Sequence, residues 1–130
     1  MYVDRIASAW LIARFIDRGA LFKFVPARGY QPAPGELRFD MFEGEYTHEG
    51  DRCTFETLLR RFALDDAALD AIAGIVHDID MKDDKFERDE TDGVQTVLEG
   101  IARGLLDDDA RLTAGRTVFD GLYEHFRHHA

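Results

Sequence analysis

The 130-residue chain has one cysteine, Cys53, so no disulfide can form within it. That usage suits a reducing, cytoplasmic setting. Three prolines and 11 glycines are too few for a loop-dominated fold. Cations are scarce as well. Sixteen Lys and Arg face 26 Asp and Glu, for a net charge of −10. Such a surface repels phosphate backbones and anionic membranes, and acids flank the densest cationic spots, Arg60-Arg61 and Arg111 with Arg116. Nucleic acid is therefore a disfavoured partner, and cations or basic partners are favoured. No apolar run can span a bilayer, since the longest apolar-leaning stretch, 6–16, is broken by Ser8 and Arg14. The first residues show no basic region followed by an apolar run and a small-residue cleavage site, so no signal peptide is expected. A Gly-rich phosphate loop, a G-x-S-x-G elbow, paired C-x-x-C and H-E-x-x-H are all missing.

Apolar residues make up 45% and charged residues 32%, a globular balance with enough apolar side chain for one modest core. One domain over residues 1–130 is expected, with no internal repeat. Apolar spacing predicts five helices, at about 3–17, 54–62, 66–81, 93–105 and 107–126. In the first, apolar residues surround nearly the whole circumference, which predicts a buried helix. Segments 21–25, 36–40 and 43–48 read as strands. The expected class is α+β, mostly helical, with a small three-stranded sheet in the N-terminal half.

Three clusters could carry chemistry. On the third helix, with Val76 at zero, Asp80 lies about 40° away and His77 about 100° away, while Asp78 points about 160° off, toward solvent. His and Asp at this spacing can place an imidazole nitrogen and a carboxylate oxygen on one ion, or form a structural pair. The second cluster runs from His48 to Glu56 across a strand-turn-helix junction. Glu56 falls in the first turn of the helix, favoured there by the dipole, and at the edge of the apolar stripe. Cys53 beside that N-terminus is either a thiol of lowered pKa or a small buried residue. The third cluster is Asp4, Arg5 and Ser8 on the first helix. Asp4 fits an N-cap and Ser8 a helix crossing, whereas a buried Arg5 would need a carboxylate or an anionic ligand. His125, His128 and His129 read as a solvated end.

Residues 3–12 (Val3-Asp4-Arg5-Ile6-Ala7-Ser8-Ala9-Trp10-Leu11-Ile12), 48–56 and 77–83, in that order, resemble the C-terminal domain of ChrB-type chromate-resistance proteins, and the likeness runs from Val3 to about Phe126. The resemblance implies an association with bacterial chromate resistance and with chromate-responsive regulation. Its motif residues fall on Asp4, Arg5, Ser8, Trp10, His48, Arg52, Cys53, Glu56, His77, Asp80 and Lys82. By this resemblance the chain is expected to start at the domain and to lack the additional N-terminal region of longer members, an expectation that again points away from DNA binding.

Three functions follow as expectations. In the first, His48, Glu56, His77 and Asp80 hold one Fe, Mn or Zn ion, and the domain acts on or senses a small molecule. Asp80, not Asp78, is the expected ligand on the third helix. In the second, Arg5, Ser8, Arg52 and Lys82, with Asp4, Trp10 and Cys53 among the ligand-binding residues, form a pocket for a chromate-like oxyanion without metal. In the third, Cys53 serves a thiol-dependent redox enzyme, which would need a partner thiol or a metal.

Overall fold

A computed structural model of the protein describes residues 2–22, 34, 47 and 49–129. Five helices account for the order: α1 (Tyr2–Leu11), α2 (Thr54–Arg61), α3 (Ala67–Met81), α4 (Thr91–Gly104) and α5 (Asp108–His129). α1 runs on into a π-helical turn, Ile12–Ile16, closed by Asp17 N–H donating to Ile12 O at 2.7 Å.

The expectation of an α+β fold is corrected. Helices cover 71% of the described residues, and no strand or sheet occurs among them. Among the described residues the one β-type contact is an isolated antiparallel bridge between Glu49 and Arg52, closed over a turn in which Gly50 takes φ +60°. Leu21, assigned to the first strand, is 96% exposed and lies outside regular structure. The remaining residues of that strand, 23–25, and the other two strand assignments, apart from Thr47, lie outside the described residues. Short apolar runs fit a strand or a buried helical segment equally well by periodicity. Here the helices bury one another's stripes without a sheet layer among the described residues.

α3 is the centre. It packs against each of the other four helices. Ala and Ile on every side allow this, and Ala68, Leu69 and 71–79 are buried. Asp66 caps its start, its Oδ1 accepting from Ala68 N–H at 2.8 Å. Its Oδ2 accepts from Tyr123 Oη–H at 2.6 Å, tying α5 to the same point. α1 is buried as its sequence predicts, with Arg5 the exposed exception among residues 3–11. Trp10, Phe55, Phe119 and Phe126 are nearly inaccessible to solvent. Burial of each such side chain stabilises the fold by roughly 2–3 kcal/mol. Trp10 Nε1–H donates to Asp120 Oδ1 at 2.8 Å, so the indole's one donor is satisfied.

Candidate functional site

His77 is fully buried and lies between two carboxylates. Its Nδ1 is 2.6 Å from Glu56 Oε1, and its Nε2 is 2.9 Å from Asp83 Oδ2. A neutral imidazole donates from one nitrogen only. Carboxylates on both nitrogens therefore select the imidazolium. Burial alone would lower the His77 pKa, but the hydrogen bonds to Glu56 and Asp83 and their charges outweigh it, and the net shift is upward. The bond to His77 in turn holds Asp83 below the usual carboxylate range.

Glu56 reaches this place for a local reason. It is the third residue of α2, and its Oε1 also accepts from Cys53 N–H at 3.0 Å, one half of a capping box. One oxygen thus closes the start of α2 and fixes the ring of His77.

Asp83 arrives on the loop between α3 and α4, residues 82–90. Lys82, Asp84 and Glu87 take φ of 57°, 52° and 49°, three non-glycine residues in the left-handed region within one short loop. Each costs of order 1–2 kcal/mol and persists where surrounding contacts fix it. Asp78 provides the main anchor, its Oδ2 accepting from Phe86 N–H at 3.0 Å and from Glu87 N–H at 2.7 Å. The sequence-based orientation of Asp78 is thereby corrected. It does not face solvent but is buried beneath the loop, because the chain folds back over that face of α3. Phe86 packs edge-on to the His77 ring at 5.1 Å. It also sits beside Gly74, where an added Cβ would come within 3.3 Å of the Phe86 side chain. Lys85 Nζ donates to Asp51 Oδ2 at 3.2 Å, linking the loop to the turn before α2. Asp83 and Phe86 were not singled out from sequence, and Asp78 was set aside as solvent-facing. An aromatic inside a charged run just past a helix end was the available signal.

The other predicted residues scatter. Asp4 is fully buried, and its carboxylate accepts from the N–H groups of Thr54 and Phe55, 2.9 Å each, and from Ser8 Oγ–H at 3.4 Å. It caps α2, not its own helix. Cys53 is fully buried beside it, and burial together with the Asp4 charge pushes its thiol well up. That corrects the lowered pKa expected at a helix N-terminus, since desolvation and a nearby carboxylate outweigh the dipole. Trp10 is core. Arg5, Arg52 and Lys82 are exposed on three different segments.

Among the described residues, His77, Asp78 and Asp83 form a trio whose potential ligand atoms lie within 4.8 Å of one another. Glu56 touches His77 from the other side. Asp80 is half-buried on the next part of α3 and is not in that trio, and His48 lies outside the described residues.

Beside this centre runs an open groove of about 530 Å³. α2 lines it with Glu56, Leu59 and Arg60, α3 with Asp70, Ala73 and Gly74, and Phe86 lies at one side. Glu56 therefore belongs to both features.

The family described as ChrB, C-terminal domain, matches residues 1–126. The chain is also 39% identical over 128 residues to Protein ChrB of Cupriavidus metallidurans. That match covers 97% of this chain but 38% of the relative, so the chain spans well under half of the protein it resembles. No solved structure matches. With the Asp4, Glu56 and His77 motifs lying inside one continuous family match, the chain belongs to the ChrB C-terminal domain family.

Proposed function

We propose that this domain is associated with chromate resistance and binds one divalent transition metal ion at His77, acting on or sensing a small molecule there. The observation that carries this reading is the fully buried His77 with Glu56 on Nδ1 and Asp83 on Nε2. A carboxylate on one ring nitrogen is the usual outer support of a metal-bound histidine, because it fixes the tautomer and raises the basicity of the other nitrogen. Nε2 is then the ligand atom, with Asp83 beside it and Asp78 close by. His48 and Asp80 complete the candidate set. An imidazole with oxygen donors suits Fe, Mn or Zn, which would supply Lewis-acid character at that point. The carboxylates around His77 favour a cation over an oxyanion, and the buried protonated Cys53 disfavours thiol chemistry.

Calorimetric titration of the chelator-treated chain with Zn(II), Mn(II) and Fe(II), in buffers of differing ionisation enthalpy, tests the reading. One ion per chain, with proton release and an affinity lowered at least about tenfold in His77→Gln, is expected. Unchanged affinity in that variant would overturn it. Chromate or sulfate binding to the metal-free chain, lost in Arg5→Ala, would move the assignment to the oxyanion.

A further inference from the structure

The groove between α2 and α3 has its own chemistry and shares one residue, Glu56, with the His77 centre. Its floor is apolar, made by Leu59, Leu64, Ala73 and Phe86. Phe86 is 44% exposed, with Lys85 Nζ 5.5 Å from its ring centroid and held outside the groove by Asp51. Its charged lining is Glu56, Asp65 and Asp70 against Arg60 alone. Arg60 faces Glu49 at 3.7 Å, so its charge is met outside the groove. Asp70 has no such relief: slight burial and the neighbouring Asp65 and Asp66 all push its carboxyl upward. The two ends are distinct. Asp70 and Asp65 mark one, and Glu56 marks the other, next to His77 and Phe86. Asp70 and His77 are seven residues apart on α3, a rise of roughly 10 Å. Both hydrogen bonds of Glu56 use Oε1.

We propose that this groove docks a lysine- or arginine-bearing segment of a partner protein. The aliphatic stems lie on Leu59, Leu64, Ala73 and Phe86, and the cationic heads meet Asp65 and Asp70 at one end and Glu56 at the other. Charge complementarity selects this occupant. A purely apolar segment would strip water from Asp65 and Asp70 without pairing them, which is costly. A phosphate-bearing ligand is repelled by the same groups and by the net charge of −10. A bare metal ion makes no use of the apolar floor. Long basic side chains have both parts, a stem that covers apolar surface and a head that stays charged.

The test is an amide-resolved NMR titration of the full chain with a short capped peptide alternating leucine and lysine. The same peptide with glutamate in place of lysine is the control. Shifts centred on Leu59, Leu64, Asp65, Asp70, Ala73 and Phe86 are expected, weakening with added salt. Asp65→Asn combined with Asp70→Asn should weaken binding about tenfold. Neither substitution touches His77, so metal affinity should stay unchanged, and failure here is separable from failure of the metal reading. Equal binding of the glutamate peptide, shifts on another face, or an unaltered affinity in the double variant would each overturn the proposal.

Discussion

Asp4 on α1 closes the N-terminus of α2, fifty residues away in sequence, by accepting from the N–H groups of Thr54 and Phe55. Both donors would otherwise be buried and unsatisfied. Asp4→Ala should destabilise the protein by about 3 kcal/mol, with Asp4→Asn intermediate. Urea unfolding of the three chains checks this. Equal midpoints for wild type and Asp4→Ala would contradict the cap.

Cys53 should be chemically silent in the folded protein. Burial holds its sulfur as a protonated thiol, and the thiolate is the reactive form. Modification by a disulfide reagent at mildly alkaline pH should be at least about a hundredfold slower in native protein than in denaturant. Immediate stoichiometric labelling of native protein would show that the sulfur is accessible after all.

Stability should depend on pH through His77. Its folded pKa is raised, so the stability it contributes is complete below the ordinary imidazole value of about 6.5 and is lost as pH rises through the folded value. Asp83 is shifted down by the same bond, so its share is present above the ordinary carboxylate range and fades only in acid. In chelator-treated protein, the margin of wild type over His77→Gln should therefore shrink across the window that opens at the ordinary imidazole value of about 6.5 and runs upward in pH. A margin that stays flat over that window would rule out the doubly donating imidazolium.

Gly115 marks the close approach of α5 to α1. A Cβ there would overlap Ile6 Cγ2, and it would stand 3.5 Å from Ile6 Cδ1. Gly115→Ala should cost about 1–3 kcal/mol despite the better helix propensity of alanine, and combined with Ile6→Ala, which removes the Cγ2 atom, the double variant should cost less than the sum of the two single costs. Gly100 and Gly121 lie on helices with open space around them. Alanine there should stabilise by up to about 1 kcal/mol each. Thermal unfolding separates the two classes.

The helices were legible because each carries a stripe and a stop: Phe55 with Leu58 on α2, Leu69 with Ile72 and Val76 on α3, and Asp66 at the start of α3. Glu56 and His77 were legible as neighbours of those stripes. Asp78 was not, because a helical wheel knows only its own helix. The loop that folds back over α3 turns a nominal outer face into an inner one, and the same fold-back brings Asp83 to His77. Asp4 was read as a cap on its own first helix, but the helix it caps is α2, which depends on how α1 crosses α2. Of the two readings of Cys53, the small buried residue holds, because burial and the Asp4 charge outweigh the local dipole.

The π-helical turn at Ile12–Ile16 has a genealogical reading. A wide turn of this kind is how a helix takes in one surplus residue without breaking. The length is absorbed between Leu11 and Asp17, while Trp10 keeps its seat against Phe55 and Phe119. Loss of one residue from this stretch would leave an ordinary helix and turn everything beyond it by about 100°. Arg14, which reaches Asp120 and lies over the Tyr123 ring, would leave that position. Relatives that differ by a single residue here should therefore differ in how their first and last helices are joined, and agree in the core beneath.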